Sequence, residues 1–231
     1  MFKRKDEMMS RGAWDQEWEA IHQNEKWGQY PSEHLIRFVA RTFRNVTDRA
    51  AVRILEIGCG QGAQVWFLAR EGFSTVGLDG SPTAIAKAKE RMVAEGVDTE
   101  LVVADAADMP WPDDSFDLVV DMECLMGCRY DDAEKILQQA HRVLKPGGWL
   151  YSQTFTDRTH VGEKRQEVER LTFRNVEGGQ LARKRLIRLT AEQDIPVLYG
   201  AFGGLSYEVA SCTAADRSQF SEEWIITGQR A

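Results

Sequence analysis

Val52-Arg53-Ile54-Leu55-Glu56-Ile57-Gly58-Cys59-Gly60-Gln61-Gly62 decides how the rest of this 231-residue chain is read. Its first six residues are a short, largely apolar run closed by glycines, the pattern of a buried strand. Glycine then recurs at every second position, and residues 63–70 continue as a helix. At such a junction glycine adopts backbone angles closed to other residues and lets a ligand approach the main chain closely. A plain turn before a helix also favours glycine, so the surroundings must decide which need is being met.

Toward the C-terminus the same unit repeats. Residues 74–78 read as a second strand, and Ser81-Pro82 opens a helix with a capping hydroxyl and a proline at its first position, running toward Gly96. Residues 100–104 and 116–121 read as the third and fourth strands. Residues 131–144 form a helix ended by Lys145-Pro146-Gly147-Gly148, and 149–155 a fifth strand. This alternation predicts an α/β fold, a mostly parallel sheet doubly wound by helices on both faces, because parallel neighbours need a crossover.

The alternation stops at residues 156–190, where Phe173-Arg174-Asn175-Val176, Glu177-Gly178-Gly179 and residues 180–189 look like an inserted hairpin. A helix over 191–200 follows. Two apolar alternating runs, 207–212 and 223–228, then predict a closing antiparallel pair and complete a seven-stranded sheet. Before residue 51 the chain is helical in character, with Leu35, Ile36, Val39 and Phe43 at one-sided spacing. Residues 1–231 are expected to be one domain, with 1–50 as a helical cap and 156–190 as a substrate-side insertion.

Composition narrows the possibilities. With 43% hydrophobic and 28% charged residues and a net charge of −7, the chain is neither a disordered tail nor a disulfide miniprotein. Its four cysteines form no CxxC pair and its four histidines no paired-ligand spacing with them, so no metal site is expected and a reducing, cytoplasmic setting is. The N-terminus lacks the apolar core of a signal peptide, and no stretch approaches the roughly 18 apolar residues of a membrane helix. The acidic balance argues against a nucleic-acid partner. Within it, residues 158–188 carry nine Lys/Arg against four Asp/Glu. The oligomeric state is not legible.

Acids stand at the next two strand ends. Asp79 closes the second strand, where an acid can accept both hydroxyls of a ribose, and Asp105-Ala106 closes the third, where an acid can accept from an exocyclic amine. Aspartate is common in turns for local reasons, but glycine, acid and acid at three adjacent strand tips form one constellation.

In these residues the chain resembles the class I S-adenosylmethionine-dependent methyltransferases, particularly the small-molecule branch. The resemblance rests on residues 54–62, Gly77-Leu78-Asp79-Gly80-Ser81-Pro82, Asp105-Ala106-Ala107-Asp108-Met109-Pro110, Phe116-Asp117-Leu118-Val119-Val120 and Leu144-Lys145-Pro146-Gly147-Gly148. It implies S-adenosylmethionine as cofactor, with Gly58 and Gly60 under its methionine part, Asp79 on the ribose, and Asp105 with the Ala106 amide on the adenine. It further implies that Asp121 and Met122 offer acceptors to the cofactor ammonium and that Glu56 orients the loop or reaches the same end. Two departures stand out. The residue after the ribose acid, usually bulky and apolar against adenine, is Gly80, so Met109 or Trp111 is expected to supply that surface. The histidine that follows the fourth strand in many members is absent, the sequence there being Leu125-Met126-Gly127.

Methyl transfer from a sulfonium needs alignment and exclusion of water more than covalent help, and a hydroxyl acceptor also needs a base. His160, after the fifth strand, is the first candidate and Glu123 the second. Each has a plainer reading, as a surface histidine and as a structural acid. His141 is read as structural. Trp14, Trp18, Trp27 and Tyr30 are candidates for a lid holding the sulfonium by cation–π attraction, or else for ordinary packing. Arg183, Lys184, Arg185 and Arg188 would attract a phosphate or carboxylate on an anionic or sugar-linked acceptor, or else form a solvated strand face. The competing readings are a nicotinamide-dependent oxidoreductase, whose GxGxxG fingerprint meets Ala63 at its last position, and a cofactor-binding protein without turnover.

Overall fold

The computed structural model describes residues 13–26, 28–179, 181, 182 and 184–231. The apolar run at the centre forms strand β1 (Arg53–Ile57), flanked in parallel by β2 (Ser74–Asp79) and β4 (Phe116–Met122). Outside these lie β3 (Glu100–Val103) and β5 (Leu144–Phe155), so the parallel strands run in the order 3-2-1-4-5. The chain winds outward through β1, β2 and β3, then returns to the middle for β4. That reversal opens a crevice at the carboxyl ends of β1 and β4. The expected closing pair is present and longer than its apolar core suggests: β10 (Gln219–Gln229) lies antiparallel against β5, and β9 (Gly203–Ala214) forms the edge.

Alternate strand residues feed opposite faces, as the two-residue period requires. Ile54, Leu118 and Val120 pack with Leu35, Phe38 and Val39 of α2 (Glu33–Thr42). Leu55, Ile57 and Val119 pack with Ile136, Leu137 and Ala140 of α5 (Tyr130–Val143). Helices α3 (Ala63–Arg70) and α4 (Pro82–Glu95) complete the crossovers. The Ser81 hydroxyl caps α4 by accepting from the Ala84 amide at 3.0 Å, and Gly96 ends it in the left-handed region at φ +67°. A short N-terminal helix, α1 (Glu17–Asn24), rests against α4.

Two local expectations are corrected. The segment 145–148 is part of β5, entered through a register shift opposite β4. Its proline and glycines are tolerated because a bulge leaves ladder positions unpaired. The helix expected over 191–200 is a 3-10 turn (Glu192–Asp194) followed by the short α6 (Ile195–Leu198). Pro196 fits only a first helical turn, so the helix restarts there. The expected inserted hairpin is present and gains a third strand: β6 (Lys164–Glu169), β7 (Thr172–Glu177) and β8 (Leu186–Arg188) form an antiparallel sheet with its own core of Phe173, Val176, Ile187 and Leu189 reaching Met126 and Phe155 of the main body. Among the described residues no helix is long and apolar enough to cross a membrane.

Candidate active site

The loop after β1 has the geometry its glycines imply. Gly58, Gly60 and Gly62 hold φ at +63°, +51° and +79°, the left-handed region costly to any residue with a Cβ. Crowding adds to this at Gly58, where a Cβ would stand 2.5 Å from Cys124 Sγ. Gly62 also occupies the N-cap of α3 without offering a side-chain acceptor. Glu56 does that work from β1: its Oε2 accepts from the Val65 amide at 3.0 Å, placing a carboxylate at the positive end of the helix. Burial nevertheless pushes the Glu56 carboxyl well above its usual range.

The strand tips are joined through Asp79. Its Oδ2 accepts from the Gly60 amide at 2.8 Å and its Oδ1 from the Ser81 amide at 2.8 Å. Its own carbonyl accepts from the Ala104 amide at 3.1 Å, next to Asp105 on the tip of β3. Asp105 Oδ1 accepts locally from Ala107 N at 2.9 Å. A carboxylate has about four lone-pair sites, so Asp79 retains acceptor capacity toward the crevice. Burial raises its pKa, the Ser81 and Gly60 amides working against that shift.

These tips open on a cavity of about 420 Å³. The expected residues Glu56, Gly58, Gly60, Asp79, Gly80, Asp105, Ala106 and Met122 all line it. Glu123 lines it as well, held at φ +59° with its amide donating to Gln153 O at 2.9 Å. Non-glycine residues persist at such angles only where the surroundings over-determine them. Its Oε2 accepts from Lys184 Nζ at 2.6 Å, which brings the insertion into the cavity wall.

Other candidates are placed elsewhere. Asp121 is fully buried and does not line the cavity; Oδ1 accepts from the Cys124 and Leu125 amides at 2.9 and 3.1 Å, and Oδ2 from the Ser152 hydroxyl at 2.5 Å. Burial raises its pKa to about 6. Its carboxylate shapes the turn that presents Glu123 and Cys124. His160 is exposed and outside the lining, because the chain beyond β5 turns against β10, where the His160 amide donates to Phe220 O at 2.9 Å. Met109 and Trp111 are core residues away from the cavity, the Trp111 ring packing edge-on against Phe116 at 5.4 Å. His141 packs against Phe202 on α5, as a structural residue would.

Of the proposed lid, Trp14, Trp18 and Tyr30 line the cavity, while Trp27 lies outside the described residues. The segment carrying the first two is fastened on two sides. Arg174 of β7 pairs with Asp15 at 2.5 Å and with Glu17 at 3.2 Å, and the Ser81 and Thr83 hydroxyls donate to Glu19 at the start of α4. Much of the insertion's basic charge has internal partners of this kind. Arg170 pairs with Asp194, and Arg188, 2% exposed, donates to Leu125 O at 3.0 Å. Arg183 is outside the described residues.

Sequence reasoning missed His22. It is 4% exposed, lines the cavity beside Asp79, and its Nδ1 has no hydrogen-bond partner among the described residues. Burial lowers its pKa, against the pull of Asp79 and Glu19. Its signal in the sequence was only a histidine four residues after Trp18, on a helix read for its tryptophans.

A glycine loop, two acids at neighbouring strand tips and an orphaned buried imidazole nitrogen fit an adenosyl compound with a cationic tail. Fold and cavity together define a Rossmann-like domain built to bind a nucleoside cofactor at the switch point of its sheet. Residues 54–148 match the methyltransferase domain family. The chain is 33% identical over 147 residues to 27-O-demethylrifamycin SV methyltransferase of Amycolatopsis mediterranei, covering 62% of this chain and 50% of that one. It is 34% identical over 118 residues to demethylmenaquinone methyltransferase of Thermus thermophilus, covering 50% and 52%. The chain thus spans about half the length of the curated relatives it matches. Among solved structures, a SAM-dependent methyltransferase from Methanosarcina mazei shares the fold with a TM-score of 0.69 at 20% identity, over 87% of this chain and 99% of that one. A phosphoethanolamine N-methyltransferase from Haemonchus contortus, solved with phosphomonomethylethanolamine and S-adenosylhomocysteine, has a TM-score of 0.61 at 18% identity, over 84% and 52%. Residues 54–148 thus carry a methyltransferase domain, set in a fold shared with a solved S-adenosylmethionine-dependent methyltransferase.

Proposed function

We propose that the protein, acting as one domain with its N-terminal cap and insertion, methylates a small-molecule acceptor held between the tip of β4, the insertion and the N-terminal segment. When bound, S-adenosylmethionine supplies an electrophilic methyl group on a sulfonium sulfur. The chain's own contribution is to hold, align and dry the site, and alignment can be worth several kcal/mol up to about 10. Gly58 and Gly60 give the methionine part a backbone surface without side chains. Asp79 takes the ribose hydroxyls on its remaining lone pairs, and Asp105 with the Ala106 amide takes the adenine edge. Glu56 and the Met122 backbone face the ammonium, while Asp121 acts through the turn it holds.

Where the acceptor is a hydroxyl, Glu123 is the base, since it is the candidate that reaches the cavity. Its pairing with Lys184 also favours an anionic or sugar-linked acceptor. A carboxylate or phosphate that took over the Lys184 ammonium would release Glu123 to accept the acceptor's proton.

The observation that carries this reading is the bridge through Asp79, which ties the glycine loop to the neighbouring strand tips around one cavity. Calorimetric titration with S-adenosylmethionine should show saturable binding, lost in Asp79→Ala. A metabolite extract supplied with methyl-labelled cofactor should then yield a labelled small molecule. No binding at millimolar cofactor overturns the reading, and binding without labelled product reduces it to a cofactor-binding protein.

A further inference from the structure

Gly80 follows the ribose acid directly and offers no side chain to the cavity. A Cβ built there would stand 2.2 Å from Cδ1 and Cγ of Trp14, so the indole lies in the volume that a side chain at position 80 would fill. The same exchange recurs across the cavity, where a Cβ at Gly127 would come within 3.2 Å of the Trp18 ring. Two positions that lack a side chain are thus covered by two tryptophans four residues apart on the N-terminal segment. Trp14 shares the cavity wall with Asp79 on one strand tip and with Ala104, Asp105 and Ala106 on the next. A purine held at those tips meets an aromatic face rather than bare backbone, and base–aromatic stacking is sequence-tolerant and substantial.

We propose that Trp14 is the purine-stacking surface of this site, supplied by the N-terminal segment in the space Gly80 leaves open. The proposal rests on the cofactor reading given above and assigns a residue to it. Its placement follows from the Asp15–Arg174 pair on one side and the Glu19 contacts with Ser81 and Thr83 on the other. Both anchors lie just C-terminal to the indole and hold the segment that carries it against separate parts of the body.

The geometry makes Trp14 and position 80 mutually exclusive, and that can be measured. Calorimetry with S-adenosylhomocysteine, which carries the purine but has no methyl group to transfer, would be run on the full chain and on Trp14→Ala, Trp14→Phe, Gly80→Leu and the Trp14→Ala/Gly80→Leu double variant. Removing the indole should weaken binding about tenfold or more, a factor within the range of base stacking, and phenylalanine should restore most of it. Gly80→Leu alone should also weaken binding, because leucine and the indole compete for one volume. The double variant should bind better than either single variant. Indole fluorescence should change on titration of the wild type and change less in Trp14→Phe. Thermal unfolding of each variant separates misfolding from lost contact, and Trp14→Phe carries the test if Gly80→Leu does not fold. Wild-type affinity in Trp14→Ala, or a double variant no better than Trp14→Ala, would overturn the assignment. Failure of the wild type itself to bind would instead overturn the cofactor reading.

Discussion

Gly58→Ala tests whether the turn after β1 is as tightly determined as its geometry implies. Two costs add. Alanine at φ +63° sits in the left-handed region, unfavourable by roughly 1–2 kcal/mol. Its Cβ would lie 2.5 Å from Cys124 Sγ and 2.6 Å from Cys124 Cβ, about an ångström inside ordinary contact, and overpacking of this kind costs about 1–3 kcal/mol. Cys124 has little room to retreat, because its amide donates to Asp121 at 2.9 Å and the preceding Glu123 is itself at φ +59°. The sum is about 2–5 kcal/mol, a large part of the stability of an ordinary domain. Urea unfolding should show this as a lower midpoint at unchanged slope. Because the contact is with Cβ as well as sulfur, Cys124→Ala should give little rescue of Gly58→Ala. Cys124→Gly leaves only the Cα at 3.6 Å, so it should return about 1–3 kcal/mol in a double-mutant cycle, with the backbone cost remaining. A loss below about 1 kcal/mol, or equal rescue by alanine and glycine at position 124, would refute the crowding argument.

Two further outcomes follow from the acids at the end of β4, the buried Asp121 and the partly exposed Glu123. Burial raises Asp121 from 3.8 to about 6, so its contribution to stability is fully present below about pH 4 and is lost as pH rises through 6. Asp121→Asn should therefore gain on the wild type by about 3 kcal/mol between pH 4 and pH 7, read from unfolding midpoints; a pH-independent difference would contradict the assigned burial. Glu123→Gln should leave S-adenosylhomocysteine binding nearly unchanged while lowering kcat by about 10²–10⁴ on a hydroxyl acceptor. An unchanged kcat would remove Glu123 as the base.

The fold was legible where local patterns sufficed. The strand runs of β1 and β4, the helix start at Ser81-Pro82 and the acids at successive strand tips depend on neighbours in the chain, and they lie where their spacing placed them. Strand β6 was not legible, because Lys164–Glu169 is mostly exposed and polar and pairs only because β7 presents an edge to it. Asp121 and His160 show the limit for single residues. Both stand at or beyond strand ends facing the crevice, but a side chain's direction depends on what its carboxylate or backbone bonds to across the fold.

From the residues alone came the strand–helix alternation that predicts a parallel sheet and the glycine–acid–acid set, since each is read from patterns within a few positions of itself; the strand order that makes the switch point came with the packed sheet. Tertiary structure alone brought Trp14 onto Gly80, His22 beside Asp79 and Lys184 onto Glu123. Those partners are separated by some sixty residues of chain, and their contacts exist only once the intervening strands and helices have packed.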